Sequence, residues 1–401
     1  MTTRAQEVLQ QTQHLADEWV RPQAERWQRE RVMGLEAVRA AARLNLLGVQ
    51  VPVALGGLGL PFSVRSGMAA ILAEADFGFA LSLINTQGVA STLANWLPAS
   101  VSQRWLGDLL TGQRMACTCL TEPGAGSDFG AIQMQATPHG AGWRLQGEKA
   151  WIINAQVAEV MVVYAQTQPG SGAKGIAAFV VDASRPGFHR TDRGRTETVA
   201  SLGTGGFVLD GYEAAADEML HPPGMAFKRA MGSINLARTY VAAMATAMVV
   251  DSLRIARAYG EQRHTFGRAL QEHQGWRWVL VDAMVDVEAA QLLIGQACAA
   301  ADAQAPMDAL AARAKIFATR MAGKHITALL HALGAAGLSA QYPLSRHLAG
   351  AQVATLVDGS TEMLLERVWA SQVRSARPAK HATLQEKLNC KPLFFMAQVS
   401  R

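Results

Sequence analysis

The sequence has little charge, few cysteines and no apolar run of membrane length. Only 17% of its 401 residues are charged and 50% are hydrophobic, which excludes a disordered chain. Four scattered cysteines are too few for a disulfide framework and indicate a reducing compartment. The longest apolar stretch, residues 240–250, is about half a bilayer span, and polar residues after Arg4 exclude a secretory segment. We therefore expect a cytoplasmic protein without a membrane span.

The charge balance is mildly basic. The chain has 37 basic and 32 acidic residues, a net charge of +5. This small excess fits a phosphorylated or acidic partner better than a nucleic acid, which would favour a concentrated basic patch. The length suggests two or three domains.

The chain has three regions with different patterns of apolar and turn-forming residues. Apolar residues at helical spacing predict a helical domain over residues 1–113. Short β-rich runs separated by Gly, Pro, Ser and Asp predict a middle β domain over 114–228, a small sandwich or barrel. Long helical patterns return over 229–376 and predict an antiparallel bundle, with a tail of unassigned structure at 377–401. The fold class expected is therefore mostly α with a central β domain.

The element boundaries can be predicted more closely. In the bundle, three-and-four spacing predicts helices at roughly 233–262, 274–302, 307–333, 344–354 and 360–376. In the β domain, alternating or β-rich runs predict strands at 115–121, 143–153, 160–167, 175–182 and 206–209.

Two stretches of the β domain are candidate ligand sites. Residues 119–128 lead a strand into a turn where Gly124 and Gly126 permit close backbone approach to a ligand. An ordinary hairpin loop fits the same residues equally well. A dinucleotide-binding glycine pattern does not fit, because Phe129 stands where the third glycine is needed. Trp151 follows on a later strand, either as the wall of an aromatic cofactor or as a core residue.

Two further candidates lie in the helical region. Arg263, near the end of a long helix that Gly267 is expected to stop, suits a pyrophosphate or merely complements the helix dipole. Asp358 precedes Gly359 between two apolar helices. It is either a loop acid or N-cap, or a carboxylate with a raised pKa that removes a carbon-bound proton. The apolar surroundings that such a base needs are expected from Leu356, Val357 and Met363.

Taken in order, these stretches resemble the acyl-CoA dehydrogenase family of flavoproteins over about residues 5–375. The most recognisable runs are 56–60 and 120–128. The resemblance implies an N-terminal helical domain, a middle β domain and a C-terminal four-helix bundle, with FAD between the last two. It also implies a homodimer or homotetramer.

The activity implied by the resemblance is α,β-desaturation of an acyl thioester, carried by coenzyme A or by an acyl carrier protein. A carboxylate removes the α proton while the β hydrogen leaves as hydride to flavin N5. The electrons would pass to an acceptor such as electron-transfer flavoprotein or oxygen.

The resemblance also assigns residues to roles, with Asp358 as the catalytic base and no metal. The residues implied at the flavin and ribityl are Thr118, Leu120, Thr121, Gly126, Ser127, Trp151, Ile152 and Ile153. Those implied at the pyrophosphate and adenosine are Arg263, His264, Thr265, Phe266, Gln274, His331, Gly334 and Ala335. Ser360, Thr361 and Glu362 would pass close to FAD, and Ser127, Arg238 and Gly359 would contact the substrate.

The chain departs from the family pattern at the base itself. The family's usual base is a glutamate, and Asp358 stands there, about 1.5 Å shorter in reach. A related branch places its base on the first bundle helix, where this chain has Ala237. An aspartate at this place resembles the nitroalkane oxidase branch, so the alternative is a flavin oxidase or monooxygenase.

Other departures support a divergent member of the family. Ile153 replaces a threonine or serine whose hydroxyl bonds flavin N5, and His331 replaces a glutamine. Ala349 and Gly350 replace a charged pair. These changes leave open an enzyme of secondary metabolism acting on carrier-bound acyl groups, or an inactive relic that binds FAD.

Overall fold

A computed structural model describes residues 2–376, so Met1 and the tail 377–401, which includes Cys390, lie outside the described residues. The N-terminal region consists of helices joined by short turns. They are α1 (Thr3–Leu15), α2 (Ala24–Glu30), α3 (Leu35–Arg43), α4 (Phe62–Ala75), α5 (Phe77–Trp96) and α6 (Ala99–Leu110). Asp76 starts α5 by accepting a hydrogen bond from Phe79 N at 2.8 Å, as an N-cap residue does.

The middle region is an eight-stranded sheet in the order β6-β7-β3-β2-β4-β5-β8, with β1 parallel to β4. Its strands are β1 (Ala116–Cys119), β2 (Gln135–His139), β3 (Gly142–Ile152), β4 (Val160–Gln166), β5 (Ile176–Asp182), β6 (Phe188–Thr191), β7 (Gly205–Ala214) and β8 (Met219–His221). β4 is buried on both faces. Val160 and Val162 pack towards α5 and α6, while Met161 and Val163 fill the interior of the β domain.

The C-terminal region is a helical bundle. Its elements are α7 (Ala226–Gln262), a hairpin of β9 (His264–Thr265) and β10 (Arg268–Ala269), α8 (Gln274–Asp302), α9 (Asp308–Ala332), α10 (Leu344–Leu356) and α11 (Thr361–Ala376). α7 is long and apolar enough to cross a membrane, but 78% of its most apolar stretch is buried inside the protein. It packs against α4 as well as α8 and α9, so one core joins the N-terminal helices to the bundle.

This architecture confirms the predicted fold class, and several boundaries differ. α7 begins at Ala226 instead of near 233, because the residues around Gly232 are polar and exposed and give no periodic signal. The strands β2, β6 and β8 were missed, since they are short or largely exposed. Gly267 does not stop α7, which ends at Gln262. Gly267 and Phe266, both with positive φ, form the turn of the β9–β10 hairpin.

Candidate active site

The glycine-rich turn is anchored from beneath by a buried ion pair. Lys149 Nζ lies 2.8 Å from Glu122 Oε1 and also donates to Leu120 O at 2.9 Å. Glu122 accepts two further hydrogen bonds from the backbone amides of Gln133 and Met134. Burial lowers the pKa of Lys149, and the charge of Glu122 opposes that shift. Paired and hydrogen-bonded in this way, the two buried charges hold the turn in place.

The residues assigned to the flavin surround this turn. Gly126 and Ser127 are exposed, whereas Thr118, Leu120 and Thr121 are partly buried. The turn therefore presents open backbone and one hydroxyl to solvent, and the buried ion pair beneath it fixes its position. Sequence reasoning missed the pair of Glu122 and Lys149, although an acid and a lysine in the two candidate β stretches were a visible signal.

Trp151, the last residue but one of β3, has an unusual backbone conformation. Its φ is +54°, its side chain is 52% exposed, and the backbone of Gly194 packs directly against it. A bulky residue with positive φ is a genuine outlier and is frequent at functional sites. The interpretation of Trp151 as a core residue is therefore wrong, and the exposed indole is available as the wall of a flat ligand.

The two residues after Trp151 differ in orientation. Ile152 is buried in the core of the β domain, so only its backbone can face a ligand. Ile153 is partly buried and packs against the core that contains Ala237 and Tyr240 of α7. Val357, next to Asp358, also packs against this large core, which extends from the N-terminal helices through the bundle.

The loop that carries Asp358 is clamped by two buried cations. Arg238 Nε donates to the carbonyl oxygen of Asp358 at 2.9 Å, and Lys315 Nζ donates to that of Gly359 at 2.7 Å. Asp358 and Gly359 have φ of +56° and +101°, a turn that a Cβ at 359 would strain further by approaching Arg238 Nη2 at 3.3 Å. α7 and α9 thus fix the backbone of the acidic residue.

The carboxylate of Asp358 is left free by this arrangement. Among the side chains of residues 2–373 it has no hydrogen-bond or ion-pair partner, because both cations bind backbone carbonyls. Burial raises its pKa, and the charges of Lys315 and Arg238 partly offset that rise. Burial also lowers the pKa of Lys315 to about 8 and that of Arg238 to about 10. A free carboxylate with a raised pKa can act as a general base.

The prediction that three apolar residues surround Asp358 is partly wrong. Leu356 is 70% exposed and Met363 is also exposed, because both point away from the bundle at the helix ends. Only Val357 contributes to the core. Ser360 and Thr361 are partly buried at the start of α11 and Glu362 is exposed, so these three lie beside the loop.

The residues assigned to the dinucleotide gather at the other end of the bundle. Trp276 Nε1 donates to Ala332 O at 3.1 Å, which ties the start of α8 to the end of α9. The exposed residues there are Arg263, His264, Phe266, Gln274, His331, Gly334 and Ala335, with Thr265 partly buried. Phe266, at the tip of the hairpin, is 97% exposed.

The two ends of the site are far apart within one chain. Arg238 contacts the Asp358 loop, whereas Arg263 follows the last residue of α7. At 1.5 Å per residue, the intervening stretch of α7 spans about 36 Å. A single chain therefore does not bring the dinucleotide end and the acidic loop together around one ligand.

Comparison with known proteins identifies the family. Residues 2–113 match the description of the acyl-CoA dehydrogenase N-terminal domain, 117–212 that of the middle domain, and 224–372 that of the C-terminal domain. The chain belongs to the acyl-CoA dehydrogenase family. It is accordingly an oxidoreductase and a flavoprotein, and its cofactor is FAD.

Individual relatives agree along nearly the whole chain. The rat mitochondrial protein named short-chain specific acyl-CoA dehydrogenase is 29% identical over 360 residues, covering 89% of this chain and 87% of the relative. The short-chain specific acyl-CoA dehydrogenase of Clostridium acetobutylicum is 28% identical over 372 residues, covering 90% and 96%. The solved structure of butyryl-CoA dehydrogenase from Megasphaera elsdenii superimposes with a TM-score of 0.89 at 26% identity, covering 93% and 99%.

The residues present fit FAD. No atom lies within 4 Å of where a Cβ on Gly124, Gly267 or Gly334 would stand, so the backbone at both ends is open to a ligand. The exposed indole of Trp151 suits the flat flavin, and the exposed guanidinium of Arg263 suits a pyrophosphate. Among the residues that the structure describes, no group of His, Cys, Asp or Glu could hold a metal ion.

Proposed function

We propose that the chain catalyses the α,β-dehydrogenation of acyl thioesters, with Asp358 as the base. The observation that carries this proposal is the free carboxylate of Asp358 on a loop whose two carbonyls are held by Arg238 and Lys315. A carboxylate that served only as a loop acid or a helix cap would spend its oxygens on nearby amides.

The protein's part in the reaction is to hold a proton acceptor at the α carbon. The α C–H bond breaks, its proton goes to Asp358, and its electron pair forms the Cα–Cβ double bond as the β hydrogen departs with two electrons. FAD, when bound, supplies the acceptor for that hydride. Burial favours this chemistry, because a base with a raised pKa takes a carbon-bound proton more readily.

An anaerobic titration of the FAD-loaded protein with an acyl thioester tests the proposal. We expect the flavin absorbance to be lost without oxygen, as electrons arrive from the thioester. An absorbance that short, branched and long acyl-CoAs and acyl-carrier thioesters all leave unchanged would contradict it. Protein that takes up no FAD at all would favour an inactive relic.

The carrier of the acyl group and the electron acceptor belong to the same proposal. Coenzyme A and acyl carrier protein present the same phosphorylated arm, which suits a chain of net charge +5. Electron-transfer flavoprotein is the expected acceptor, in the cytoplasm. Matched titrations with one acyl group on each carrier, followed by reoxidation with each acceptor, separate these possibilities.

A flavin oxidase is the second candidate function, favoured by Ile153. Its side chain packs against the helical core and has no group that could donate a hydrogen bond to the flavin. Without that donor the site would stabilise the reduced flavin less, which would favour its reaction with oxygen. Peroxide formed at the rate of substrate consumption, with a nitroalkane or another carbon acid as substrate, would support this alternative over dehydrogenation.

We also propose that the working enzyme is a homo-oligomer. About 36 Å of α7 separates the two ends of the site, so a second copy is needed to supply the dinucleotide end near each acidic loop. α8 begins beside that end and exposes a row of large apolar residues. They are Trp278, Val281, Met284, Val285 and Leu292. Such a patch marks a protein interface, and the row is one face of a helix that a second α8 can cover.

A further inference from the structure

Arg65 on α4 is a buried cation without an acidic partner. Only 5% of its surface is exposed, and no carboxylate pairs with it among residues 2–376. Its Nη1 donates to Gln50 Oε1 at 3.0 Å and its Nη2 to Ile84 O at 2.8 Å, while its buried Nε has no hydrogen-bond partner. Burial of a charge is costly unless an opposite charge compensates it, so this site is incomplete as it stands.

The guanidinium lies over the ring of Tyr240 on α7, with Cζ 5.3 Å from the ring centre. The Tyr240 hydroxyl makes no hydrogen bond with the described residues, although the ring is buried. Burial and the charge of Asp358 raise the pKa of Tyr240, and the charge of Arg65 opposes this. The phenol therefore lies within electrostatic reach of both the proposed base and the unpaired cation.

Arg65 is not the counter-ion of the base. The charges that act on the Asp358 carboxyl are those of Lys315 and Arg238. Tyr240 stands one helical turn beyond Ala237 on the same face of α7, and the charges of both Asp358 and Arg65 act on its hydroxyl. The order from the reacting end outward is thus Asp358, Tyr240 and Arg65.

The guanidinium packs closely against the backbone of a glycine. Gly88 on α5 is partly exposed, and a Cβ there would come within 2.7 Å of Arg65 Nη2. The nearest helix therefore presents backbone instead of a side chain to the cation. Because Gly88 is partly exposed, this part of α5 is the side from which a small anionic group would approach the guanidinium.

We propose that Arg65 and the Tyr240 hydroxyl form a subsite for a carboxylate at the far end of the acyl chain, so that the substrate is the monothioester of a short dicarboxylic acid. This inference rests on the proposed function, because it places the α carbon at Asp358. The carboxylate neutralises the charge of Arg65 and accepts a hydrogen bond from the Tyr240 hydroxyl. An acyl chain that ends in a methyl group can make neither interaction.

The test compares two coenzyme A thioesters of equal length, glutaryl-CoA and pentanoyl-CoA, in anaerobic flavin reduction by the holoprotein. We expect the wild type to have a Kd for glutaryl-CoA about tenfold to a hundredfold lower than for pentanoyl-CoA, the usual range for a charge-assisted hydrogen bond. Arg65→Met should remove that preference by weakening glutaryl-CoA alone, and Arg65→Lys should restore part of it.

Arg229→Met is the matched control, because Arg229 also covers an aromatic ring, that of Trp96 at 3.6 Å, but is exposed. It should leave the preference unchanged. If Arg65→Met does not fold, Tyr240→Phe removes only the hydroxyl and should weaken glutaryl-CoA a few-fold.

A wild type that is reduced by pentanoyl-CoA and does not prefer glutaryl-CoA would overturn the subsite while leaving the proposed function intact. An equal loss of both thioesters in Arg65→Met and in Tyr240→Phe would also overturn it. Flavin that neither these nor any other acyl thioester reduces would instead contradict the proposed function.

Discussion

The two ends of the candidate site differ in how far one chain completes them. At the Asp358 loop, buried cations satisfy both backbone carbonyls and set the electrostatics of the carboxylate. At the dinucleotide end, Arg263 and Phe266 are exposed, and Arg263 has no ion-pair partner in the described part of the chain. The surroundings of the acidic residue are thus set within one chain, whereas the proposed homo-oligomer would complete the dinucleotide end with a second surface.

Replacing the base should have the largest effect, since it removes the reactive group and leaves the clamp. Asp358→Asn should slow flavin reduction by an acyl thioester about a thousandfold, the weight of a general base, while the variant retains FAD. Stopped-flow absorbance under anaerobic conditions measures the rate, and the flavin spectrum measures retention. An unchanged rate would remove Asp358 from the mechanism.

Breaking the apolar face of α8 should disable only the dinucleotide end. Val285→Glu combined with Leu292→Glu should yield monomers that lose FAD on dilution, because a buried charge opposes the contact. Sedimentation and flavin content report the two effects. Val53→Glu, at an equally exposed residue of the N-terminal region, is the control and should stay oligomeric. Full oligomers in the double variant would place the interface elsewhere.

Replacing Arg263 tests the contribution of a single residue to the dinucleotide end. Arg263→Ala should weaken FAD binding about tenfold, since a charge-assisted hydrogen bond to a phosphate is lost. Arg268→Ala, in the partner strand of the same hairpin, should have little effect. Equilibrium dialysis of FAD against both variants measures the affinities. Equal affinities would make Arg263 a helix-end charge only.

Replacing Lys315 tests how its charge affects the pKa of Asp358. Its positive charge lowers the pKa of Asp358, so Lys315→Met should raise that pKa. Because only the ionised base accepts a proton, the midpoint of the rising limb of the pH–rate profile should move to higher pH. Lys315→Arg should move it back, and Lys324→Met, an exposed lysine of the same helix, should leave it in place. A profile that does not move in Lys315→Met would show that Lys315 holds the loop without tuning the base.

The smallest expected effect is at Ile153. Ile153→Thr adds a donor near the flavin and should shift its midpoint potential by tens of millivolts, the equivalent of about 1 kcal/mol for one hydrogen bond. Ile153→Val adds no donor and is the matched control. Spectroelectrochemistry of both variants measures the potential, and equal potentials would show that residue 153 is remote from N5.

Much of the fold was predictable, because side chains that are buried at regular intervals appear in the sequence as regularly spaced apolar residues. The long helices of the bundle follow a three-and-four apolar spacing, and α8 begins and ends at the predicted residues. The short strand β6 carries no such signal, because most of its side chains are exposed and its pairing with β7 is what holds it.

The kinds of residue at the candidate site can be read from the sequence alone: an acid before a glycine, a glycine-rich turn after a strand, and an arginine after a long helix. Their surroundings depend on how the chain folds. The clamp by Lys315, the pair of Glu122 and Lys149, and the unpaired charge of Arg65 join residues distant along the chain. Burial and electrostatic coupling depend on which elements pack together, and no local pattern of residues records that.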